Sequence, residues 1–361
     1  MKVLHLSTEK TWRGGEQQIV YLHEQLLEMG IESIVACREH SVMHHYFKNH
    51  GLPYQTFPFE SAYDVKTILA IRQFIRAEKI EILHMHTAKG HTLAVLAGIL
   101  GVKIPMVLSR RVDFPVKDNW FSRYKYNYPN IRKILCVSDA IRKMLEPDIN
   151  NPDKLLTIHS GVDPSKYKMR FYSNYLKKKY GLPAESKIIG NTSALADHKD
   201  YFTFVNTAQH VLSNYEDVYF FIVGEGPLEP EIREYIVQKN LNEKIIMTGF
   251  LSNIIEVLDS FDIFLFTSKT EGLGTSVLDA LGMGIPVVAT KAGGVPEMIS
   301  HNENGLLAEV KDANQLSLHL KNLLRNPELG KKLAASGRQT IHSFSTEQVA
   351  KKTLEVYRSI I

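Results

Sequence analysis

The feature that most constrains this chain is a rhythm in which short apolar runs alternate with helix-length amphipathic segments. The runs Val3–Ser7, Ser33–Cys37, Ile82–His86, Met106–Ser109 and Lys133–Ser138 read as strands, and so do Lys187–Thr192, Tyr219–Val223, Lys244–Thr248, Ile263–Thr267 and Pro286–Thr290. Between most of them the apolar residues take helical spacing, as in Gln17–Met29, Val65–Glu78 and Leu228–Asn240. Strands that alternate with helices pair in parallel, because a parallel neighbour is reached only through a long crossover. The expected fold class is therefore α/β, with parallel sheets covered by helices on both faces. Ten strands crowd a single sheet and divide into two groups of five.

The break falls near Gly161-Val162-Asp163-Pro164. A lysine-rich, helix-like stretch (Asn174 to Tyr180) and Gly181-Leu182-Pro183 follow, after which Lys187–Thr192 restarts the pattern that Lys2–Ser7 began. At 361 residues, and roughly 150 residues to a domain, two Rossmann-like domains facing each other are expected, 1–163 and 164–345. No fixed-period repeat or low-complexity segment interrupts them.

Composition removes other classes. Apolar residues make up 44% and charged residues 23%, which excludes collagen-like, coiled-coil and disordered chains. Two cysteines, Cys37 and Cys136, lie in strand-like runs and read as reduced and buried. The longest apolar stretch, Leu93 to Val102, falls short of the roughly 20 residues that span a bilayer. The start MKVLHLST reaches a threonine and a glutamate too soon for a signal peptide, so a cytoplasmic location is expected.

The net charge of +4 conceals an asymmetry, since residues 1–170 hold 24 basic against 17 acidic side chains. Lys103 to Lys143 alone holds ten basic and three acidic ones, interleaved with Phe114, Trp120, Phe121, Tyr124, Tyr126 and Tyr128. Such a surface suits an anionic partner, whether a phosphorylated lipid, a membrane face or nucleic acid. A solvated helix face with buried aromatic spacers explains it equally well.

Ligands of doubly wound sheets sit beyond the carboxyl ends of strands. After the first strand, Thr11-Trp12-Arg13-Gly14-Gly15-Glu16 leads into a helix expected near Gln17, so the paired glycines would let a ligand reach backbone at a helix N-terminus. The GxGxxG spacing of a dinucleotide site is missing. His84 and His86 share one face at the end of another strand. No further ligand stands at recognisable spacing, so no metal site is expected, and His86, nearer the carboxyl end, is the better cleft candidate. The plain alternative is one core histidine and one in a surface loop. Lys199, in the loop after Lys187–Thr192, can hold a phosphate as a point charge or simply be solvated. Gly224-Glu225-Gly226-Pro227 is a weak glycine turn, and Gly249-Phe250 could offer backbone to a nucleobase.

The strongest signal runs from Phe264 to Ile299. Glu271 sits in a loop at a strand end, Asp279 about a turn into the next helix, and free amides near Gly274 and Thr275 could take phosphate. Two carboxylates flanking those donors suit the hydroxyls of a sugar nucleotide. Gly293-Gly294-Val295-Pro296 then makes a tight turn, with Pro296 in a first helical turn.

The segment Glu271 to Ile299 closely resembles the donor-binding signature of glycosyltransferase family 4 (glycosyl transferases group 1), whose fold is GT-B. The resemblance runs the whole chain, through Gly14-Gly15, His84-x-His86, the Lys199 loop, Gly224-x-Gly226 and the carboxylate pair, in family order. It implies two facing Rossmann-like domains with a donor cleft between them, an acceptor-side domain 1–163 joined by the last helix 346–361, and a nucleotide-sugar domain 164–345. It implies that Glu271 bonds the transferred sugar and Asp279 the ribose, while Lys199 and backbone at Leu273, Gly274 and Thr275 neutralise the leaving diphosphate. Gly14 and Gly15 would approach the donor, and His86 the sugar near the anomeric carbon. Gly224, Gly249 and Phe250 complete the donor-binding set.

Two positions depart from the family pattern. Asp279 replaces a glutamate one methylene longer, and Ala194 stands where an arginine precedes the lysine, which makes Arg13 a candidate substitute cation. The resemblance further implies retention of anomeric configuration, no protein nucleophile, no cofactor beyond a UDP- or GDP-linked substrate, and no divalent metal. The acceptor would be a glycan or lipid-linked molecule, as in cell-envelope polysaccharide or lipopolysaccharide, meeting Arg110, Arg111 and Asp113. Contact with an anionic membrane at its inner face fits the basic stretch, and no nucleic-acid module is present. The rival readings are a nicotinamide-dependent dehydrogenase, a sugar-nucleotide epimerase on a GT-B scaffold, and a non-catalytic glycan-binding subunit.

Overall fold

The computed structural model describes residues 1–167 and 173–361. The chain divides into two compact units, Met1–Gly161 with Thr346–Ile361, and Val162–Ser345. Each is built on a parallel sheet.

The first unit has seven strands: β1 (Lys2–Leu6), β2 (Glu32–Arg38), β3 (Tyr54–Phe57), β4 (Ile82–Met85), β5 (Met106–Arg110), β6 (Ile131–Cys136) and β7 (Leu155–Thr157), in the order β3-β2-β1-β4-β5-β6-β7. The second has six: β8 (Lys187–Thr192), β9 (Val218–Val223), β10 (Ile245–Gly249), β11 (Ile263–Phe266), β12 (Val287–Thr290) and β13 (Leu306–Ala308), in the order β10-β9-β8-β11-β12-β13. Both orders reverse beside the unit's first strand, between β1 and β4 and between β8 and β11. Such a reversal opens the crevice where doubly wound sheets take ligands. All ten expected strands are present. β3, β7 and β13 were not expected; each is three or four residues long and ends its sheet. An edge strand has one paired side and a mixed burial pattern, which leaves little periodicity to read.

Central strands are apolar on both faces because helices cover both. Phe220 and Ile222 of β9, Ile263 and Leu265 of β11 and Val288 of β12 pack under Phe204, Val205 and Leu320 from flanking helices, all buried. In the first unit the last helix, Thr346–Arg358, lays Ala350, Leu354 and Tyr357 against Leu22 and Leu26 of the helix Gly14–Glu28. Gln18 ties this region down, donating to the Gly161 carbonyl and accepting from the Gly161 amide, each at 2.7 Å. Cys37 and Cys136 are free and buried, and burial pushes both thiols up to about 12.

Candidate active site

In the second unit the reversal between β8 and β11 brings together two loops far apart in sequence. The loop after β8 carries Lys199 at the end of a 3-10 turn, Asp197–Lys199, and the loop after β11 carries Glu271. The Lys199 Nζ and Glu271 Oε1 atoms form an ion pair whose side chains are only 15% and 9% exposed. Ser268 Oγ donates to the same Oε1 at 2.9 Å, and the ammonium lies 5.2 Å from the centroid of the Phe266 ring. Gly293 explains how the loop closes: a Cβ there would stand 1.9 Å from the Glu271 carbonyl oxygen. The next amide, of Gly294, donates to that same oxygen at 3.3 Å.

Three residues beyond Glu271 the chain turns through Gly274, at φ +90°, into the helix Thr275–Gly282. No side chain caps this helix, so the amides at its start keep their donors. Leu273 and Gly274 are buried beneath them. Asp279, one turn in, accepts a hydrogen bond of 2.5 Å from the Tyr167 hydroxyl. Burial raises the Asp279 carboxyl above its usual range, opposed by Tyr167 and the Lys166 charge. The unit thus presents a cation, a helix start with unbonded amides, and two carboxylates.

The glycine turn has a packing role. A Cβ on Gly224 would meet the Ser193 carbonyl oxygen at 2.1 Å, and one on Gly226 the Leu195 oxygen at 2.4 Å. These glycines let the turn interlock with the loop after β8, a junction closed by the Leu195 amide on the Glu225 carbonyl at 3.0 Å. Gly249 bridges back to Gly224 through its carbonyl (3.0 Å), which leaves the Phe250 ring 70% exposed at the end of β10. Ala194, in the same loop, is exposed.

In the first unit the helix starts at Gly14, three residues earlier than expected. Glu16 is the reason, since its carboxylate accepts from the Arg13 amide at 3.0 Å and caps the first turn. Gly14 and Gly15 therefore form that turn and do not precede it, and a Cβ on Gly15 would meet open space. His84 and His86 share one face, but both are buried, and neither lies in a surface loop. Parallel pairing sets His5 of β1 beside His84 of β4. His5 Nδ1 lies 3.0 Å from His86 Nε2, while His84 bonds the Tyr357 hydroxyl at 2.5 Å and Ser109 Oγ at 2.8 Å. His86 Nδ1 is covered and unbonded. Burial holds all three imidazoles neutral, His5 down to about 3.

Among the described residues these three histidines are the one group close enough to hold a metal ion, with ligand atoms within 4.8 Å of one another. Their environment does not fit a cation. The Arg111 charge faces His84 and His86, whose tilted rings lie 4.0 Å apart, and that charge opposes a bound cation.

Arg110 was expected to face an acceptor, yet it is 7% exposed and both terminal nitrogens of its guanidinium are occupied. One arm donates to the Tyr126 hydroxyl at 2.8 Å and another to the Phe114 carbonyl, so Arg110 shapes the loop from inside. Arg111 is half-buried and reaches Ser160 Oγ at 3.4 Å, and burial lowers it to about 10. Asp113 is half-buried with one covered carboxylate oxygen unbonded. Phe114 of this loop (56% exposed) and Trp120 beyond it (76%) stand in solvent, as does Tyr63 (64%) from a distant loop, with Phe121 between Tyr63 and Trp120. Lysines and arginines interleave with them, including Lys125, whose ammonium lies 5.6 Å from the Phe121 ring centroid.

Two parallel, doubly wound units with a cation and carboxylates at one switch point define a glycosyltransferase of the GT-B fold. Solved structures share that fold: Anabaena HepE in complex with UDP-glucose superposes with a TM-score of 0.87 at 18% identity, covering 99% of this chain and 100% of that one. Two family models match, "Glycosyltransferase Family 4" over residues 12–166 and "Glycosyl transferases group 1" over 173–340. The chain belongs to this family of glycosyltransferases. Among curated relatives, N-acetyl-alpha-D-glucosaminyl L-malate synthase of Bacillus anthracis is 25% identical over 83% of this chain and 80% of its own. UDP-Gal:alpha-D-GlcNAc-diphosphoundecaprenol alpha-1,3-galactosyltransferase of Escherichia coli is 24% identical over 69% of this chain and 67% of its own.

Proposed function

We propose that this glycosyltransferase moves a sugar, with retention, from a UDP- or GDP-linked donor to a glycan or lipid-linked acceptor in cell-envelope polysaccharide or lipopolysaccharide assembly. The observation that carries this reading is the Lys199–Glu271 pair beside the uncapped helix start at Gly274. A diphosphate seeks a cation and amide donors; a hexose seeks a carboxylate.

As the sugar leaves, positive charge grows at its anomeric carbon and negative charge on the diphosphate. Lys199 and the amides at Leu273, Gly274 and Thr275 stabilise the negative side without reorganising, so no divalent metal is invoked. Glu271 accepts from sugar hydroxyls and Asp279 from the ribose. Phe250 and the backbone at Gly249 lie against the base, while Gly224 keeps the loop after β8 in place. The acceptor attacks from the face the leaving group departs, and a diphosphate oxygen takes its proton. On the family resemblance we assign Arg13, Gly14, Gly15 and His86 of the first unit to recognition of the donor and its sugar. His86 must turn its ring for this, because both its nitrogens point inward.

The acceptor reading rests on Arg111, Asp113 and the aromatic, basic surface around Trp120, which suits an anionic membrane face. The name of the Escherichia coli relative, which acts on a diphosphoundecaprenol-linked sugar, supports it. No helix among the described residues is long and apolar enough to cross a membrane, so contact would be peripheral. The test is to incubate the protein with UDP- or GDP-[14C]hexose and lipid-linked oligosaccharide. Label should enter the lipid fraction with wild type and not with Glu271→Ala. Donor that binds and never turns over would support the non-catalytic reading instead.

A further inference from the structure

Asp279 is a short carboxylate on the inner side of a helix, and among the described residues its side chain has one hydrogen-bond partner, Tyr167, 112 positions earlier. Tyr167 is held there by three features of the second unit. Its amide donates to the Pro164 carbonyl at 3.2 Å, closing the turn Pro164–Lys166. Its carbonyl accepts from Arg338 Nη2 at 3.1 Å, so the helix Pro327–Thr340 fixes it from the other side. Its ring packs against Gly282, where a Cβ would stand 2.4 Å from Cδ2. Position 282 in the helix Thr275–Gly282 therefore has room for this ring only because it is glycine.

A ring fixed so firmly, with its hydroxyl on the carboxylate, does more than fill space. The bond engages Oδ1 and leaves Oδ2 without a partner among the described residues. A carboxylate accepts along about four lone-pair directions. We propose that Tyr167 is the positioning residue of the ribose site: its hydroxyl aims the Asp279 carboxylate so that Oδ2 receives a ribose hydroxyl of the nucleotide. This rests on the assignment of Asp279 to the ribose.

The bond also favours the ionised form. Burial pushes the Asp279 carboxyl up, and the groups that oppose this are the Tyr167 hydroxyl and Lys166 in the turn before it; the helix Thr275–Gly282 carries no other charge, and Arg338 is committed to the Tyr167 carbonyl. A protonated carboxyl would be a poorer acceptor for a diol, so losing the hydroxyl should weaken binding more at acid pH than at neutral pH.

The experiment is calorimetric titration of UDP, GDP and their 2′,3′-dideoxy forms into wild type, Tyr167→Phe and Asp279→Asn, at pH 8 and pH 5.5. Phenylalanine keeps the ring on Gly282, so the melting temperature of Tyr167→Phe should stay close to wild type. The expected result is about three- to thirtyfold weaker binding of the ribonucleotide by Tyr167→Phe at pH 8, a larger loss at pH 5.5, and no loss for the dideoxy form. Binding unchanged in Tyr167→Phe but lost in Asp279→Asn overturns the role of Tyr167 while sparing the ribose assignment. Tighter binding by Tyr167→Phe overturns it differently, by making the hydroxyl a competitor of the ribose. Binding unchanged in both variants removes the ribose assignment itself.

Discussion

Removing Lys199 should cost the second unit more than removing the charge of its partner. Both side chains of the Lys199–Glu271 pair are nearly covered, and among the described residues Ser268 is the other side-chain donor on that carboxylate. Stripping one partner from a buried pair costs about 3–5 kcal/mol, because the survivor keeps its desolvation penalty. Residual exposure and the Ser268 hydroxyl reduce this, which leaves about 2–3 kcal/mol for Lys199→Ala. Glu271→Gln should cost only about 1 kcal/mol, since an amide still accepts from Ser268 and a lysine can extend its ammonium into water. For a unit of this size about 2–4 °C of melting temperature corresponds to each kcal/mol. Scanning calorimetry should show the second unit melting about 5–10 °C lower in Lys199→Ala. The double variant should recover part of that loss, with a coupling of at least about 1 kcal/mol. Lys199→Ala melting like wild type, or strict additivity of the two changes, would refute this picture of the pair.

Three further outcomes follow from the same geometry. Gly293→Ala forces a methyl into the Glu271 carbonyl and should destabilise the second unit by about 2 kcal/mol or more while abolishing donor binding; normal nucleotide affinity in a folded variant would contradict that. In the first unit burial lowers His5 to about 3, His23 to about 4 and His91 to about 3, whereas an unfolded imidazole titrates near 6.5. The unfolded chain therefore binds more protons between these values, so stability is complete above about pH 6.5 and falls by about 1.4 kcal/mol per pH unit per histidine as the pH drops. Calorimetry from pH 7 to pH 4.5 should show the first unit losing stability steeply, and a flat profile would refute it. Trp120→Ser combined with Phe114→Ser should weaken flotation with phosphatidylglycerol vesicles roughly tenfold and leave nucleotide binding intact; undiminished flotation would remove this surface from the membrane reading.

The parts of this fold legible in the sequence are those set by periodicity and by loops that follow strands. The central strands announce themselves because burial on both faces demands unbroken apolar runs. Glu271 and Lys199 were legible as strand-end residues, and the sheet order explains why they meet, since β8 and β11 are neighbours only through the reversal. Tyr167 was not legible. It sits in a stretch that reads as linker, and nothing local shows that its hydroxyl reaches a helix 112 positions later. His5 escaped for a related reason: inside a short apolar strand it looks like a core substitution until register sets it beside His84. A histidine at a similar depth in each of two apolar strands was the available signal. The packing role of the Gly224 turn is not legible either: the missing side chains make room for carbonyls of a loop that sequence alone does not place beside it.

The central claim is that the second unit binds a nucleotide sugar through Lys199 and Glu271. Its most direct test is calorimetric titration of UDP-, GDP- and ADP-sugars, with NAD alongside, into wild type, Lys199→Ala and Glu271→Ala. One class of nucleotide sugar should bind wild type, Lys199→Ala should weaken both the sugar nucleotide and its bare diphosphate, and Glu271→Ala should weaken the sugar nucleotide alone. Binding of NAD with no response to any nucleotide sugar would contradict the claim.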